Sequence, residues 1–349
     1  MTIYVVDLEE VETRYTKQWK KHLPLQLKKH CGKTVQVISG GDSVKSASPG
    51  AFLNFGYTNV YKAKQIQKIA ELFSRNEIKS GDYFLYTDAW NPTVLQLKYM
   101  AELLNIKIKI GGMWHAGSYD PQDFLGRLIG DKPWVRQSEI AMFNAFDHNF
   151  FATEFHIELF LQSFPQAEKN KMYRVGWPME YLDDDLTTYK NITKENIILF
   201  PHRLAPEKQH DIFMDLSKEL PKYSFITCLD VCQNKNDYHN LLAKAKIIFS
   251  ANLQETLGIS WYEGCVLGVI PMIPNRLSYK EMALSNFKYP SEWTLTKEGY
   301  FKHKELIKSV IVDYIENYKK HAPMIWKQKL ELEHKFFSGT LLYKVIQNV

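Results

Sequence analysis

The sequence contains little cysteine, no long hydrophobic run and only a mild excess of positive charge. Its four cysteines, Cys31, Cys228, Cys232 and Cys265, include no C-x-x-C pair and no spacing typical of Cys/His metal ligands. The sequence therefore indicates neither a zinc site nor a disulfide framework, and we expect reduced, packed thiols. No apolar run is long enough to span a membrane, and the N-terminus lacks the basic segment of a signal peptide, which predicts a cytoplasmic protein.

Short apolar runs alternate with helical segments along the whole chain of 349 residues. At about 150 residues per domain, this length predicts two domains. The alternation predicts a parallel sheet with helices on both faces in each domain, and the polar, acidic segment at residues 176–185 marks their boundary. The predicted strands are residues 3–7, 34–39, 83–87, 106–110, 149–153 and 172–175 in the first domain, and 197–200, 224–229, 246–250 and 269–273 in the second.

The segment 249–274 carries the clearest signal for a ligand site. It predicts the end of a strand, a polar loop, a helix from residue 258 and a further strand. The first N–H groups of a helix have no partner within it, and the helix dipole places positive charge there, so this loop suits an anion. The residues concerned are Thr256, Leu257, Gly258 and Ile259.

Two glutamates, Glu255 and Glu263, flank the start of this predicted helix. Glu263 shares a helix face with Ile259, Tyr262 and Val266, so its carboxylate points toward the apolar side and needs hydrogen-bond donors there. A sugar diol would supply two donors. The alternative is a solvated Glu255 and a Glu263 that is paired with a neighbouring lysine or arginine.

Two cations, Arg203 and Lys208, follow the first predicted strand of the second domain. This position lies at the carboxyl ends of the strands, where ligands of open α/β sheets bind. Two cations five residues apart can clamp one diphosphate, and they would neutralise the charge that develops on a departing diphosphate. The alternative is two surface cations beside a helix N-terminus.

The run ETLGISWYEG resembles the E-x7-E signature of retaining glycosyltransferases of the GT-B fold, in which two Rossmann-like domains face each other across a cleft. The resemblance implies that Glu255 contacts the donor sugar, that Thr256 to Ile259 meet sugar and diphosphate, and that Glu263 binds the ribose. FPHRLAPEKQ resembles the family's R-x4-K phosphate site, which implies that role for Arg203 and Lys208. It implies no metal and no cofactor besides the nucleotide-sugar donor, for which we expect a UDP-sugar.

The resemblance also implies how the chain is divided. In GT-B proteins a terminal helix crosses back to the first domain, and PMIWKQKLELEHKFF is a candidate for it. We therefore expect an N-terminal acceptor-side domain at residues 1–177, completed by residues from about 325 to 349. The nucleotide-sugar-binding domain would then occupy residues 178–324.

Three residues follow predicted strands of the first domain. His115 lies beyond the strand at 106–110, and the resemblance implies that it contacts the donor sugar, although a lone histidine is equally often packed or solvated. Asp88 and Trp90 lie after the strand at 83–87. Asp88 could orient an acceptor hydroxyl, but capping of the helix predicted from residue 92 is favoured.

The loop after the first strand departs from the family, because residues 5–19 contain no glycine where relatives often have several. This places the acceptor-side assignment in doubt. The region from residue 12 to residue 45 is instead basic, with two acids, Glu12 and Asp42, against eight cations. Cations interleaved with aromatics suit contact with phosphates and bases, although a solvated amphipathic helix is the alternative. The cations are Arg14, Lys17, Lys20, Lys21, Lys28, Lys29, Lys33 and Lys45.

These features predict a retaining, metal-independent glycosyltransferase that moves a hexose to an acceptor hydroxyl. The favoured acceptor is a hydroxymethylated base in duplex DNA, as in phage DNA glucosyltransferases of this fold. Contacts to that acceptor are assigned to Arg14, Lys17, Trp19, Asp88, Trp90 and Trp114. One rival is an enzyme of surface-polysaccharide or lipid-linked saccharide synthesis, and another is a nucleotide-binding scaffold without turnover. The sequence does not indicate an oligomeric state.

Overall fold

The computed structural model describes residues 1–10, 15–41 and 54–349 of the chain. These residues form two compact α/β units. Unit 1 comprises Met1–Met179 and Ser338–Val349, and unit 2 comprises Glu180–Phe337. Each unit is built on one sheet in which every pair of neighbouring strands is parallel. This is the predicted fold class.

Unit 1 contains a six-stranded sheet in the order β2-β1-β3-β4-β5-β6. Its four inner strands are almost entirely buried, whereas the edge strands β2 and β6 are more exposed, so the inner strands consist largely of apolar and aromatic residues, as expected for a sheet covered on both faces. The strands are β1 (Thr2–Val6), β2 (Thr34–Ile38), β3 (Tyr83–Tyr86), β4 (Lys109–Trp114), β5 (His148–Phe151) and β6 (Met172–Arg174). The helices between them are α1 (Tyr15–Cys31), α2 (Phe55–Ser74), α3 (Thr93–Leu103), α4 (Phe124–Leu128), α5 (Pro133–Ala145) and α6 (Glu154–Ser163).

Strand β4 lies further along the chain than the sequence predicted. The predicted strand ends at residue 110, but the two glycines that follow, Gly111 and Gly112, are strand residues that pack against aromatic rings. A Cβ added at Gly112 would lie 2.6 Å from the ring of Phe146, and one at Gly111 would clash with Tyr83 and Phe150. Glycine therefore serves here to admit large neighbours, and the strand continues to Trp114.

Unit 2 contains a five-stranded sheet in the order β11-β10-β9-β7-β8. Its first strand coincides with the prediction, and the short edge strand β11 was missed. The strands are β7 (Ile197–Phe200), β8 (Ser224–Thr227), β9 (Ile247–Phe249), β10 (Ile270–Pro274) and β11 (Lys288–Tyr289). The helices are α7 (Tyr181–Asp185), α8 (His210–Glu219), α9 (Cys228–Val231), α10 (Lys235–Lys244), α11 (Ile259–Val266), α12 (Tyr279–Met282), α13 (Lys297–Glu316) and α14 (Tyr318–Lys335).

The C-terminal tail divides between the units. Helix α14, which overlaps the start of the segment expected to complete the first domain, belongs to unit 2, where it packs against α11. The last helix, α15 (Thr340–Gln347), belongs to unit 1 and packs against α1. There the ring of Tyr343 stacks on His30 with centroids 4.6 Å apart. The return of the chain to the first unit is thus made by α15.

Both sheets share a topological feature that locates ligand sites. In unit 1 the chain passes from β1 to β2 on one side and later places β3 on the other side of β1. In unit 2 it passes from β7 to β8 on one side and later places β9 on the other side of β7. Ligands of open α/β sheets bind outside the carboxyl ends of the strands at such a switch point. The two expected sites therefore lie at β1/β3 in unit 1 and at β7/β9 in unit 2.

Candidate active site

The switch point of unit 2 brings together the loop after β7, which carries Arg203 and Lys208, and the loop after β9, which carries Glu255. The Lys208 ammonium donates a hydrogen bond of 2.6 Å to the backbone carbonyl of Gln254 and lies 3.5 Å from Oε2 of Glu255. Lys208 is only 6% exposed, so little water competes for it. A cation and a carboxylate that the sequence separates by 47 positions are thus direct neighbours.

Arg203 joins this group through a buried carboxylate. Its guanidinium donates to Oε1 of Glu207 at 2.6 and 3.2 Å, and Glu207 is 1% exposed. Burial alone would raise the pKa of Glu207, but the hydrogen bond and charge of Arg203 outweigh it and lower the pKa. The backbone carbonyl of Glu207 also accepts from the N–H of Leu253, which ties the two loops together.

The loop after β9 is held from behind by Arg276, which sequence reasoning missed. Its buried guanidinium donates to the backbone carbonyls of Ala251 at 2.6 Å and Asn252 at 2.7 Å. The Asn252 amide in turn donates to the Tyr279 hydroxyl at 2.9 Å and reaches Oε2 of Glu255 at 3.4 Å. Nothing in the residue pattern around Arg276 signals this role, because three of its four acceptors in the described residues are main-chain carbonyls.

The predicted anion loop leads into α11 through Gly258. This residue adopts the left-handed conformation, with φ of 81°, and a Cβ at this position would lie 2.6 Å from the Trp261 ring. Glycine is therefore required both by the backbone and by the close approach of the indole. The first N–H groups of α11 have no acceptor within the helix, so its N-terminus can receive an anion beside Lys208.

Replacing Gly258 with alanine is expected to lower the free energy of unfolding by about 2–4 kcal/mol, because left-handed strain and the clash with Trp261 add. Gly81→Ala is the matched control, since Gly81 has φ of 91° but no atom within 4 Å of an added Cβ. The Gly81→Ala control should lower the free energy of unfolding by about 1–2 kcal/mol. Urea unfolding measures both values, and equal losses in the two variants would show that the Trp261 contact is unimportant.

Glu263 is buried in unit 2 with three polar neighbours. Its carboxylate accepts from Lys235 at 2.7 Å and from the Tyr238 hydroxyl at 2.9 Å, and His239 Nε2 lies 3.4 Å away. Burial would raise the pKa of Glu263, but the charge of Lys235 and the contact with His239 outweigh it and lower the pKa to about 2. The carboxylate is therefore ionised and paired with a lysine of α10, the alternative that the sequence left open.

His115 lies at the end of β4 in unit 1, with both ring nitrogens engaged. Its Nε2 is 2.6 Å from the backbone carbonyl of Thr87, and its Nδ1 is 3.0 Å from the Tyr15 hydroxyl. A carbonyl only accepts, so Nε2 carries a proton, and in the neutral ring Nδ1 would accept from the Tyr15 hydroxyl. The ring packs against Trp19 and Trp177, with centroids 5.4 and 5.3 Å away.

Several assignments to the acceptor require correction. Trp114 is 0% exposed in the aromatic core of unit 1 and donates to Asn149, because β4 extends to this residue. Trp19 is 2% exposed and donates to the carbonyl of Pro178. Neither indole offers a surface for stacking on a base. Lys17 is exposed on α1 as expected, and Arg14 lies outside the described residues.

Asp88 and Trp90 share a turn after β3. Asp88 accepts from the N–H of Trp90 at 3.0 Å, whereas the first turn of α3 is served by Asn91, whose side chain accepts from the N–H of Thr93. The favoured capping role for Asp88 was therefore wrong. The half-buried Trp90 indole donates to Oε1 of the buried Glu139 at 2.8 Å, which fixes it in place.

The described residues include no group of three or more His, Cys, Asp or Glu side chains that could hold a metal ion. Within the same ranges, no helix has the length and apolar character needed to cross a membrane. The cysteines in the structure are all free thiols, and three of them are buried.

Comparison with solved structures identifies the fold as that of GT-B glycosyltransferases. The structure matches HepE of Anabaena, solved with UDP and glucose, at a TM-score of 0.61 and 12% identity over 99% of this chain and 98% of that one. It matches the catalytic domain of starch synthase IV of Arabidopsis thaliana, bound to ADP and acarbose, at 0.65 and 9% identity over 100% and 99% of the two chains. WaaG, a glycosyltransferase of lipopolysaccharide biosynthesis, matches at 0.60 and 10% identity over 100% and 99%.

No protein-family model matches the chain, and no curated protein matches it by sequence. At 9–12% identity, the structural matches establish the fold alone.

Proposed function

We propose that the chain is a retaining, metal-independent glycosyltransferase that transfers a hexose from a UDP-sugar to an acceptor hydroxyl. The observation that carries this proposal is the contact between Lys208 and Glu255 beside the N-terminus of α11, at the switch point of unit 2. A buried cation, a carboxylate and helix amides that have no acceptor within the helix, in one place, suit a ligand that joins a diphosphate to a polyol. Structures of this fold solved with UDP or ADP support the choice of a nucleoside diphosphate as leaving group.

The proposed reaction breaks the bond between the sugar anomeric carbon and the diphosphate oxygen, and forms one between that carbon and the acceptor oxygen. Lys208 and Arg203 would stabilise the charge that accumulates on the departing diphosphate. Glu255 would hold hydroxyls of the donor sugar. The acceptor proton would pass to an oxygen of the leaving phosphate, as front-face displacement with retention requires. His115 would contact the sugar only after exchanging one of its two present partners.

Binding of the ribose by Glu263 requires a similar exchange. The ribose hydroxyls would replace Lys235 or Tyr238 as donors to the carboxylate. Lys235 is half-buried at the first position of α10, so its ammonium can turn to solvent or toward the nucleotide. The low pKa of Glu263 suits this role, because an ionised carboxylate accepts from both hydroxyls of a diol.

Thermal unfolding in the presence of candidate donors tests the proposal. A ligand that binds only the native state raises the melting temperature in proportion to its affinity. We expect UDP and at least one UDP-hexose to raise it at millimolar concentration, and UMP to do so less, since UMP lacks the second phosphate. Stabilisation by UDP without any turnover of UDP-sugars would favour the nucleotide-binding scaffold instead.

Turnover is expected to persist in EDTA, since two protein cations replace a metal at the diphosphate in this proposal. The rate of sugar transfer measured after dialysis against a molar excess of EDTA should remain within about twofold of the untreated rate. This change is much smaller than the loss of rate expected when one catalytic contact is removed. Loss of activity on chelation that magnesium or manganese restores would contradict metal independence.

For the acceptor, the structure favours a saccharide hydroxyl over a base in DNA. The DNA proposal depended on basic residues together with aromatic stacking, and Trp19 and Trp114 are buried. DNA remains a second candidate because α1 and the turn after it expose Lys17, Lys21, Lys28, Lys29 and Lys33. If these lysines contact phosphates, binding of duplex DNA must weaken steeply as salt rises. Gel shift at two salt concentrations decides this point.

A further inference from the structure

A small cavity of about 10 Å³ lies at the switch point of unit 1, outside the carboxyl ends of β1 and β3. It is lined by Asp7 and Glu9 after β1, by Thr58, Tyr61 and Lys62 of α2, and by Asp88 after β3. A cavity of this size admits one small group such as a hydroxyl. It occupies the same topological position in unit 1 that the Lys208–Glu255 site occupies in unit 2.

Two carboxylate oxygens at this cavity are buried without a hydrogen-bond partner among the described residues. Oδ1 of Asp7 accepts from Tyr61 at 2.6 Å and Gln65 at 3.0 Å, whereas Oδ2 has no such bond and lies 3.8 Å from the Lys20 ammonium. Oε1 of Glu9 accepts from Thr58 at 2.6 Å, whereas Oε2 accepts from no described residue. The two residues are 7% and 3% exposed.

Buried acceptors without donors are costly, so such atoms usually mark a missing partner. Burial raises the pKa of Asp7 to about 6 against the opposing effects of Tyr61, Lys20, Ser39 and Gln65. Burial also raises the pKa of Glu9, opposed by Thr58, Lys62 and Asn54. Both carboxylates thus lack part of the stabilisation that an ionised buried group needs, and a ligand that donates hydrogen bonds would supply it.

The charges around the cavity define the chemistry of that ligand. Three carboxylates, those of Asp7, Glu9 and Asp88, line it with one described cation, Lys62, which lies 3.8 Å from Asp88 and donates to the carbonyl of Trp90. A phosphate would meet bare carboxylate oxygens and be repelled. A neutral hydroxyl donates without adding charge, so the cavity suits a polyol.

We propose that Asp7 and Glu9 bind one hydroxyl group of a neutral saccharide acceptor; this rests on the proposed glycosyl transfer and names its acceptor class. One saccharide hydroxyl enters the cavity and donates its proton in a hydrogen bond shared by Asp7 Oδ2 and Glu9 Oε2. The pair orients the acceptor without taking part in bond breaking. An anionic DNA backbone placed at this cavity would be repelled by its three carboxylates.

The test compares Asp7→Asn and Glu9→Gln with wild type, using glucose, maltose and N-acetylglucosamine as acceptors and a hydroxymethylated duplex as the competing class. Each substitution keeps the side-chain shape but turns one acceptor oxygen into a donor. We expect transfer to at least one neutral saccharide, with its KM raised at least tenfold in each variant and kcat changed less. Asp82→Asn is the matched control, because Asp82 is equally buried in unit 1 but accepts from the N–H groups of Thr2 and Lys79.

The acceptor-independent reaction separates the two proposals. UDP binding and slow hydrolysis of the UDP-sugar should be unchanged in both variants, since the donor contacts are assigned to unit 2 and to His115 and not to Asp7 or Glu9. Their absence in wild type would refute glycosyl transfer itself. An unchanged saccharide KM in both variants would show that the cavity holds only water. The saccharide assignment would also be overturned if sugar were transferred to the duplex alone. The same holds if no acceptor of the panel receives sugar while donor hydrolysis persists.

Discussion

Lys208→Met is expected to lower kcat for sugar transfer by about 10²–10³-fold, with a much smaller change in the donor KM, because one buried contact to a developing anion is worth this much. Lys208 lies at the switch point of unit 2 and is almost fully buried. Its charge would therefore act on the leaving diphosphate with little screening by water. The charge on that diphosphate is greatest in the transition state, so the loss falls on kcat. Initial rates at varied donor concentration measure both constants.

A structural effect of the same substitution must be separated from the catalytic one, because Lys208 also binds the carbonyl of Gln254. Lys244→Met is the control, because Lys244 lies in the same unit, has a side chain that is 41% exposed and is 3.7 Å from Glu195. It should retain wild-type kinetics. Lys208→Arg should recover part of the lost rate if charge is what matters. A raised KM with unchanged kcat would show that Lys208 contributes only ground-state binding.

Glu263→Ala is expected to weaken UDP binding by about 10–100-fold, which corresponds to the 1.5–3 kcal/mol typical of hydrogen bonds to a charged group. Glu255→Ala should change UDP affinity by no more than about threefold while it strongly reduces sugar transfer, since UDP carries no hexose. Titration calorimetry with UDP measures the affinities. Equal losses of UDP affinity in the two variants would contradict the assignment of ribose to Glu263 and hexose to Glu255.

The pairing of Glu263 with Lys235 supplies a control for this experiment. Lys235→Met removes the present partner of the carboxylate but keeps the carboxylate itself. If the ribose replaces Lys235, UDP affinity in this variant should be kept or improved, although the free protein will be less stable because a buried charge has lost its counterion. A loss of UDP affinity as large as that of Glu263→Ala would indicate that the pair acts only to hold α10 and α11 together.

The architecture could be predicted because it depends on patterns that are local in the sequence. Buried parallel strands produce continuous apolar runs, and β7 was located at its exact ends for this reason. The position of Gly258 before a helix likewise follows from local pattern. The sequence predicted that Lys208 and Glu255 belong to one site, but it did not predict their contact. The pairing of β7 with β9 brings the two residues together, and this pairing is a property of the sheet.

The errors arose where a residue type has two uses. The predicted strand ended at residue 110, but Gly111 and Gly112 admit aromatic neighbours within a strand that continues to Trp114 and places it in the core. Trp19 was assigned to contact with the acceptor, although it is one of the residues by which α1 packs on its unit. The sequence did not identify Asp7 and Glu9 as candidate site residues. What distinguishes them is that one carboxylate oxygen of each is buried without a hydrogen-bond donor, and no sequence pattern reveals this.

The most direct test of the account is the release of UDP from UDP-hexoses in EDTA, measured for wild type and Glu255→Gln with and without the saccharide panel. The account predicts that wild type releases UDP from at least one UDP-hexose and does so faster when an acceptor is present. It also predicts that Glu255→Gln binds UDP as wild type does but releases it from the donor at least about tenfold more slowly, the effect of losing more than about 1.4 kcal/mol of transition-state stabilisation. No release from any UDP-hexose by wild type would contradict the account and leave a nucleotide-binding protein with the fold but not the reaction.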